Sequence, residues 1–296
     1  MYHIVMLYYL IISVFGLISA TIFTLLTPLD SLAWGPATHL ELARTITANP
    51  AIFPAVVRTL IERFPSDFYY GNIGADIVVG KNMMSEIKHC HNWNFGFKLL
   101  KRAKTDPERA FSYGYLTHLA ADTVAHNYFI PTMLVRSFSS IIHRHIYWEM
   151  RFDSLVDKKI WQMPEKIEKE VHQTNDALLS ATLEGTPLSF RTNKTIFTSV
   201  LNLHRIEGWH KMIAHLSKDS KWALTKEDHT HYLDLALTSA TELLQRGKDA
   251  KCTLKDPTGK ENLSLARSTQ KKLKTLKRKG KDYDEPLKEA LGRFSV

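Results

Sequence analysis

DPERAFSYGYLTHLAADTVAH, residues 106–126, reads as one long helix carrying three polar side chains on an otherwise apolar body. Asp106-Pro107-Glu108 is a helix start, with acidic groups and a proline in the first turn. Ala110, Leu116, Ala120 and Val124 then recur at helical spacing, and the pattern runs on to Pro131. His118, Asp122 and His126 stand at i, i+4 and i+8. Four-residue steps keep side chains on one helix face, so imidazole, carboxylate and imidazole form a column about 6 Å apart from one to the next. Their neighbours Leu119, Ala120, Ala121, Val124 and Ala125 are small and apolar. Polar groups buried in such company are costly unless something satisfies them. A zinc ion does so with nitrogen and oxygen ligands.

The next helical pattern, over residues 140–160, repeats the device. His145 and Glu149 are i and i+4, and Asp153 continues their face. A single His/carboxylate pair at this spacing is commonly a surface hydrogen bond. Two such helices joined by a short loop can pack face to face, and the combination points to a metal site. Upstream lie more candidate ligands. His39 is one turn beyond Pro36, Asp76 follows Gly74-Ala75, and His89 and His91 flank Cys90 just before Asn92-Trp93.

Working outward, nearly everything else is helical as well. Leu40, Leu42, Ala43 and Ile46 mark a helix after Pro36 that ends at Asn49-Pro50, and residues 52–64 start another. Residues 65–74, with Gly71 and Gly74, read as a loop. Ile77-Val78-Val79 is apolar but too short to build a sheet. Helices follow over 164–179, 193–216 and 226–244. The fold class is therefore all-α, a helical bundle. Beyond Gly247 the chain is polar, lysine-rich and weakly patterned, which predicts a flexible tail over 251–296 behind a domain spanning 34–250.

Composition agrees with one sizeable core: 296 residues, 44% hydrophobic and 23% charged. Two cysteines, Cys90 and Cys252, exclude a disulfide framework. The net charge of +9 is concentrated in Lys271, Lys272, Lys274, Lys277, Arg278, Lys279 and Lys281. Such a run is ordinarily a solvated surface, with anionic lipid or nucleic acid as the partners it would suit. Residues 4–26 are apolar and uncharged. They read either as a signal peptide over 1–33, cleaved between Ala33 and Trp34, or as an uncleaved membrane anchor. The chain is accordingly expected to be exported, or held at a membrane.

Taken together, Trp34-Gly35-x-x-x-His39, Asp76, His91-x-Trp93, His118-x-x-x-Asp122-x-x-x-His126 and His145-x-x-x-Glu149 resemble the zinc-dependent phospholipases C, a family that shares its fold with single-strand-specific zinc nucleases. The resemblance covers about residues 34–157. It implies three zinc ions. Trp34, through its free amine and carbonyl oxygen, would hold one with His39 and Asp122. Asp76, His91, His118 and the bridging Asp122 would hold a second, and His126, His145 and Glu149 the third. The family usually spaces its bridging aspartate and next histidine further apart than Asp122 and His126. The resemblance also makes Asp76 the catalytic residue, which orients or deprotonates an attacking water. It implies a phospholipid or membrane-surface partner, and no protein partner. Hydrolysis of phospholipid to diacylglycerol and phosphorylated headgroup is the expected activity. A nuclease acting on nucleic acid and a non-catalytic, metal-stabilised membrane module are the alternatives. His143, on another helix face than His145, reads as a surface residue, and Cys90 as a small buried one. Tyr69, Tyr70, Phe95, Tyr128 and Trp148 could line a substrate pocket or simply pack in the core.

Overall fold

The computed structural model describes residues 34–78, 90–140, 145–163, 167, 172–184, 186, 188–204 and 222–295. Every regular element among the described residues is helical, as expected: α1 (Pro36–Ala48), α2 (Ala55–Arg63), α3 (Pro65–Gly74), α4 (Trp93–Arg102), α5 (Asp106–Val124), α6 (Ile130–Arg136), α7 (His145–Asp153), α8 (Gln173–Thr182), α9 (Phe190–His204), α10 (Lys226–Arg246), α11 (Lys260–Arg278) and α12 (Asp284–Arg293). The expected leader over 1–33, Val79, His89, His143, His210 and His215 lie outside the described residues. No helix among the described residues is long and apolar enough to cross a membrane.

The axis of the molecule is α5. A capping box starts it: the Glu108 amide donates to Thr105 Oγ1, and the Thr105 amide donates to the Glu108 carboxylate at 3.0 Å. From Gly114 to Val124 every residue is buried. Helices α3, α4, α10 and α1 surround it, which is why its sequence is apolar all round. The helical path does not stop at Pro131. Ala125–Phe129 form a π turn, and α6 continues to Arg136 with Pro131 directly after this widened turn.

Two further expectations are corrected. Residues 65–74 form a helix rather than a loop. Their glycines are contact points rather than breakers. A Cβ at Gly71 would lie 2.0 Å from the Phe111 carbonyl oxygen, and one at Gly114 would lie 2.1 Å from that of Phe68. The two backbones touch, and this lets α3 hand a carbonyl to the functional cluster. The segment after residue 250 is polar and lysine-rich as expected, but it is built into the domain as α11 and α12 rather than left as a flexible tail. Leu263, Ala266 and Leu273 bury one narrow stripe of α11, and Ala290 and Phe294 are buried at the end of the chain. Gln270 Nε2 donates to the Leu134 carbonyl at 3.2 Å, and Tyr283 packs edge-on against Phe138. A stripe this thin is hidden from a periodicity reading by the lysines around it, all exposed to solvent.

Replacing Gly71 with alanine should force α3 and α5 apart and cost about 2 kcal/mol or more in urea unfolding. Gly292→Ala, in α12 with nothing within 4 Å of the added methyl, should instead stabilise by about 0.5 kcal/mol.

Candidate metal centre

Asp122 sits on the inward face of α5, fully buried, and imidazoles from three parts of the chain close on it. His39 Nε2 comes from α1 to 3.4 Å, His91 Nε2 from the turn ahead of α4 to 3.5 Å, and His118 Nε2 from one turn earlier on α5 to 3.2 Å. Asp76 lies in the short 3-10 turn Ala75–Ile77 that ends α3. Its Oδ1 is 3.2 Å from His91 Nε2 and 4.0 Å from His118 Nε2. The donor atoms of His39, Asp76 and His118, and those of His91, His118 and Asp122, lie within 4.8 Å of one another. The two expected ligand sets are thus interleaved, with His118 common to both groupings. A second cluster gathers one turn further along the same helical path. His126, in the π turn, meets His145 and Glu149 of α7, with Glu149 Oε1 at 3.7 Å from His126 Nε2 and 2.7 Å from His145 Nε2.

The ring orientations are set from behind. His118 Nδ1 hydrogen-bonds the Asn72 carbonyl at 2.8 Å, and His126 Nδ1 the Pro257 carbonyl at 2.7 Å. Carbonyl oxygens only accept, so each ring carries its proton on Nδ1 and presents the Nε2 lone pair to the cluster. Cys90 is buried, as expected of a small interior residue. Its Sγ lies 3.4 Å from His91 Nδ1, while Tyr115 OH donates to its carbonyl at 2.8 Å.

These residues suit a cation. Both Asp122 oxygens and both His39 nitrogens are buried without a hydrogen-bond partner, a costly arrangement in an apolar interior. A divalent ion satisfies such a set, and imidazole with carboxylate is what zinc prefers. The electrostatics keep His39 neutral and Asp122 charged, while a cation at His118 would have to displace a proton. Burial, then His118, pushes His39 below the ordinary histidine range, which favours a neutral imidazole. Burial alone would lower His118, but Asp122, Asp76 and the Asn72 carbonyl outweigh it and hold it up. Burial would raise Asp122, yet His118 and then His39 keep it well below the usual carboxylate range, so it stays charged.

All the expected ligand side chains except that of Trp34 belong to one cluster or the other. The Trp34 indole is in the core, stacked on Phe152 with centroids 4.6 Å apart. Any part Trp34 takes at the cluster therefore falls to its backbone, as the resemblance implies. Tyr70, Phe95 and Trp148 are core residues, and Tyr69 and Tyr128 are partly buried against it. Among histidines without an expected role, His172 stacks on Tyr70, and His229 lies over Phe152 at 4.3 Å.

Asp153 was legible only as a continuation of the His145/Glu149 face. Its role is to reach across to α1, whose cap residue Gly35 brings no side-chain hydrogen bond. Thr38 donates to Asp153 Oδ1 from its amide at 2.7 Å and from its hydroxyl at 2.8 Å. The carboxylate so ties the helix of His39 to the helix of His145 and Glu149. Burial, only partly offset by the Thr38 donors, pushes its pKa up to about 7. The Asn72 and Pro257 carbonyls had no signal in the sequence, since every residue carries that group.

The sequence model of a family described as zinc dependent phospholipase C matches residues 38–186. No curated protein and no solved structure matches the chain.

An aspartate whose folded pKa stands above its unfolded value of about 3.9 holds a proton in the folded state that the unfolded chain has released. Stability from Asp153 should therefore be greatest below about pH 4, fall as pH rises toward 7, and level off above. Asp153→Asn keeps an acceptor for Thr38 and should remove this slope, so its stability relative to wild type should improve from pH 4 to pH 8 in denaturant titrations. Asp153→Ala strands two buried donors and should cost about 2 kcal/mol or more at every pH.

Proposed function

Because the chain belongs to the zinc-dependent phospholipase C family, we propose that it hydrolyses phospholipid at the phosphodiester bond on the glycerol side, releasing diacylglycerol and a phosphorylated headgroup. The observation that carries this reading is Asp122, a buried carboxylate with no hydrogen bond to either oxygen and three imidazoles around it. Such a set is suited to bridging two metal ions.

In this proposal His39 and Asp122, with the Trp34 backbone, hold one zinc. Asp76, His91, His118 and Asp122 hold a second, and His126, His145 and Glu149 a third. Bound zinc supplies an acidified water and positive charge against the phosphate oxygens. The chain's own groups do the rest. Asp122 keeps its charge under His118 and His39 and so remains a bridge rather than an acid. Asp76 is the more exposed carboxylate of its cluster, at 16% against 0% for Asp122. It alone of the two can meet water, and we assign Asp76 Oδ as the group that orients the attacking water and takes its proton. The buried rings of Trp34, Phe129 and Phe152, packed against one another, back the space between the helices with apolar surface.

Residues 1–33 are proposed to direct export, with cleavage before Trp34 freeing the amine that joins the first zinc. An uncleaved leader would leave that nitrogen as an amide, a poor ligand. A nuclease reading rests on the exposed lysines of α11 and on the short step from Trp34 to His39.

Zinc-loaded protein beginning at Trp34, offered phosphatidylcholine in mixed micelles beside single-stranded RNA, should release soluble phosphorylated headgroup and leave the RNA intact. Mononucleotides with intact lipid would transfer the assignment to the nuclease. Asp76→Ala should lower kcat by about 10³-fold while the helical circular dichroism is retained. The form that keeps residues 1–33 should bind less zinc and turn over more slowly.

A further inference from the structure

One segment outside the family match is bound to the metal centre and also carries an exposed leucine. After α10 the chain runs through two 3-10 turns, Gly247–Asp249 and Lys251–Leu254, to Gly259. Each stage is pinned. Gln245 Nε2 donates to the Ile52 carbonyl at 3.1 Å, and Lys248 Nζ lies over the Phe97 ring at 5.3 Å. Trp93 Nε1 donates to the Lys255 carbonyl at 2.7 Å, and Asn127 Nδ2 to that of Asp256 at 2.9 Å. The Pro257 carbonyl then holds His126. Gly259, at φ 57°, passes so close that a Cβ would fall 2.3 Å from the His126 carbonyl oxygen. This strap faces residues 92–94, which directly follow His91, across an open cleft of about 320 Å³.

On this anchored strap Leu254 is 87% exposed, while Cys252 and Pro257 on either side are buried. A single exposed leucine means nothing by itself. Its company gives it meaning. Lys248, Lys251 and Lys255 of the same strap are all exposed, the first and last with their ammonium groups over the Phe97 and Tyr128 rings, and partly exposed Trp93 stands on the opposite wall of the cleft. The acidic groups of the strap are Asp249 and Asp256. Asp256 is occupied with the Thr258 amide and hydroxyl. An outward leucine, an indole and exposed lysines on one segment is the composition that enters the headgroup layer of an anionic bilayer.

We propose that the strap and the start of α4 form a docking surface for a bilayer containing anionic phospholipid, with Leu254 inserting and Lys248, Lys251 and Lys255 contacting headgroups. The inference deepens the phospholipase reading, since a bilayer seated here lies over the cleft beside His91 and His126. A nucleic acid would use the lysines but has no use for Leu254.

The test uses zinc-loaded protein beginning at Trp34, so that the apolar residues 4–26 cannot themselves bind vesicles, and two readouts. Sedimentation with phosphatidylcholine vesicles, with and without phosphatidylserine, reports docking. Hydrolysis of short-chain phosphatidylcholine below its micelle concentration reports the site without a surface. Leu254→Asp should weaken vesicle binding about 10-fold or more. Lys251→Ala and Lys255→Ala should each weaken binding about fivefold, and only when phosphatidylserine is present. All three variants should hydrolyse the monomeric lipid as the parent protein does. Leu254→Asp binding vesicles like the parent would overturn the proposal, as would equal losses on monomers and vesicles. Salt-sensitive binding of single-stranded RNA without vesicle binding would also overturn it. Vesicle binding that depends on Leu254, in a protein that hydrolyses no phospholipid, would uphold the docking surface and sink the phospholipase reading instead.

Discussion

The structure turns on a buried negative charge. Asp122 lies at the centre of the molecule on α5, and its carboxylate has no protein hydrogen bond to offset the water it has lost. Isolated burial of a carboxylate is among the most expensive arrangements available to a protein. Three imidazoles face it, and a cation held among them would convert the cost into binding energy. Much of the fold follows from this need. α1, α3 and the turn before α4 each contribute a group to the cluster, and none of them could be displaced without stranding a charge.

Helix packing delivers those groups. The backbone contact between Gly71 and Phe111, mirrored between Gly114 and Phe68, sets α3 hard against α5. It places the Asn72 carbonyl behind His118 and Asp76 just beyond the end of the helix, facing His91. His126, in the π turn Ala125–Phe129, faces Glu149 of α7. Asp153 closes the loop by capping α1 from α7. The two clusters are held in one frame by ordinary hydrogen bonds and close packing.

The C-terminal segment changes the outline of the functional unit. The family match ends at residue 186, yet the acceptor that orients His126 is Pro257, and Gly259 and Asn262 lie against the π turn. The strap that supplies this acceptor also forms one wall of the cleft next to the metal centre. A segment with that position joins orientation of a ligand on its inner side to whatever the outer side touches.

The sequence alone determined the helical class and the types of the candidate ligands. Hydrophobic spacing and i, i+4 pairing are local properties of the chain, and His118, Asp122, His126, His145 and Glu149 announce themselves through them. What the tertiary structure decided is everything that depends on backbone groups or on distance. Glycines in residues 65–74 read as loop because a sequence does not show which backbone will approach them. α11 read as tail because three buried positions among many lysines carry a faint pattern. The carbonyls of Asn72 and Pro257 are chemically identical to every other carbonyl in the chain, so only folding could select them. Asp153 stood in the right column, but its partner Thr38 lies 115 residues away, and no local rule reaches that far.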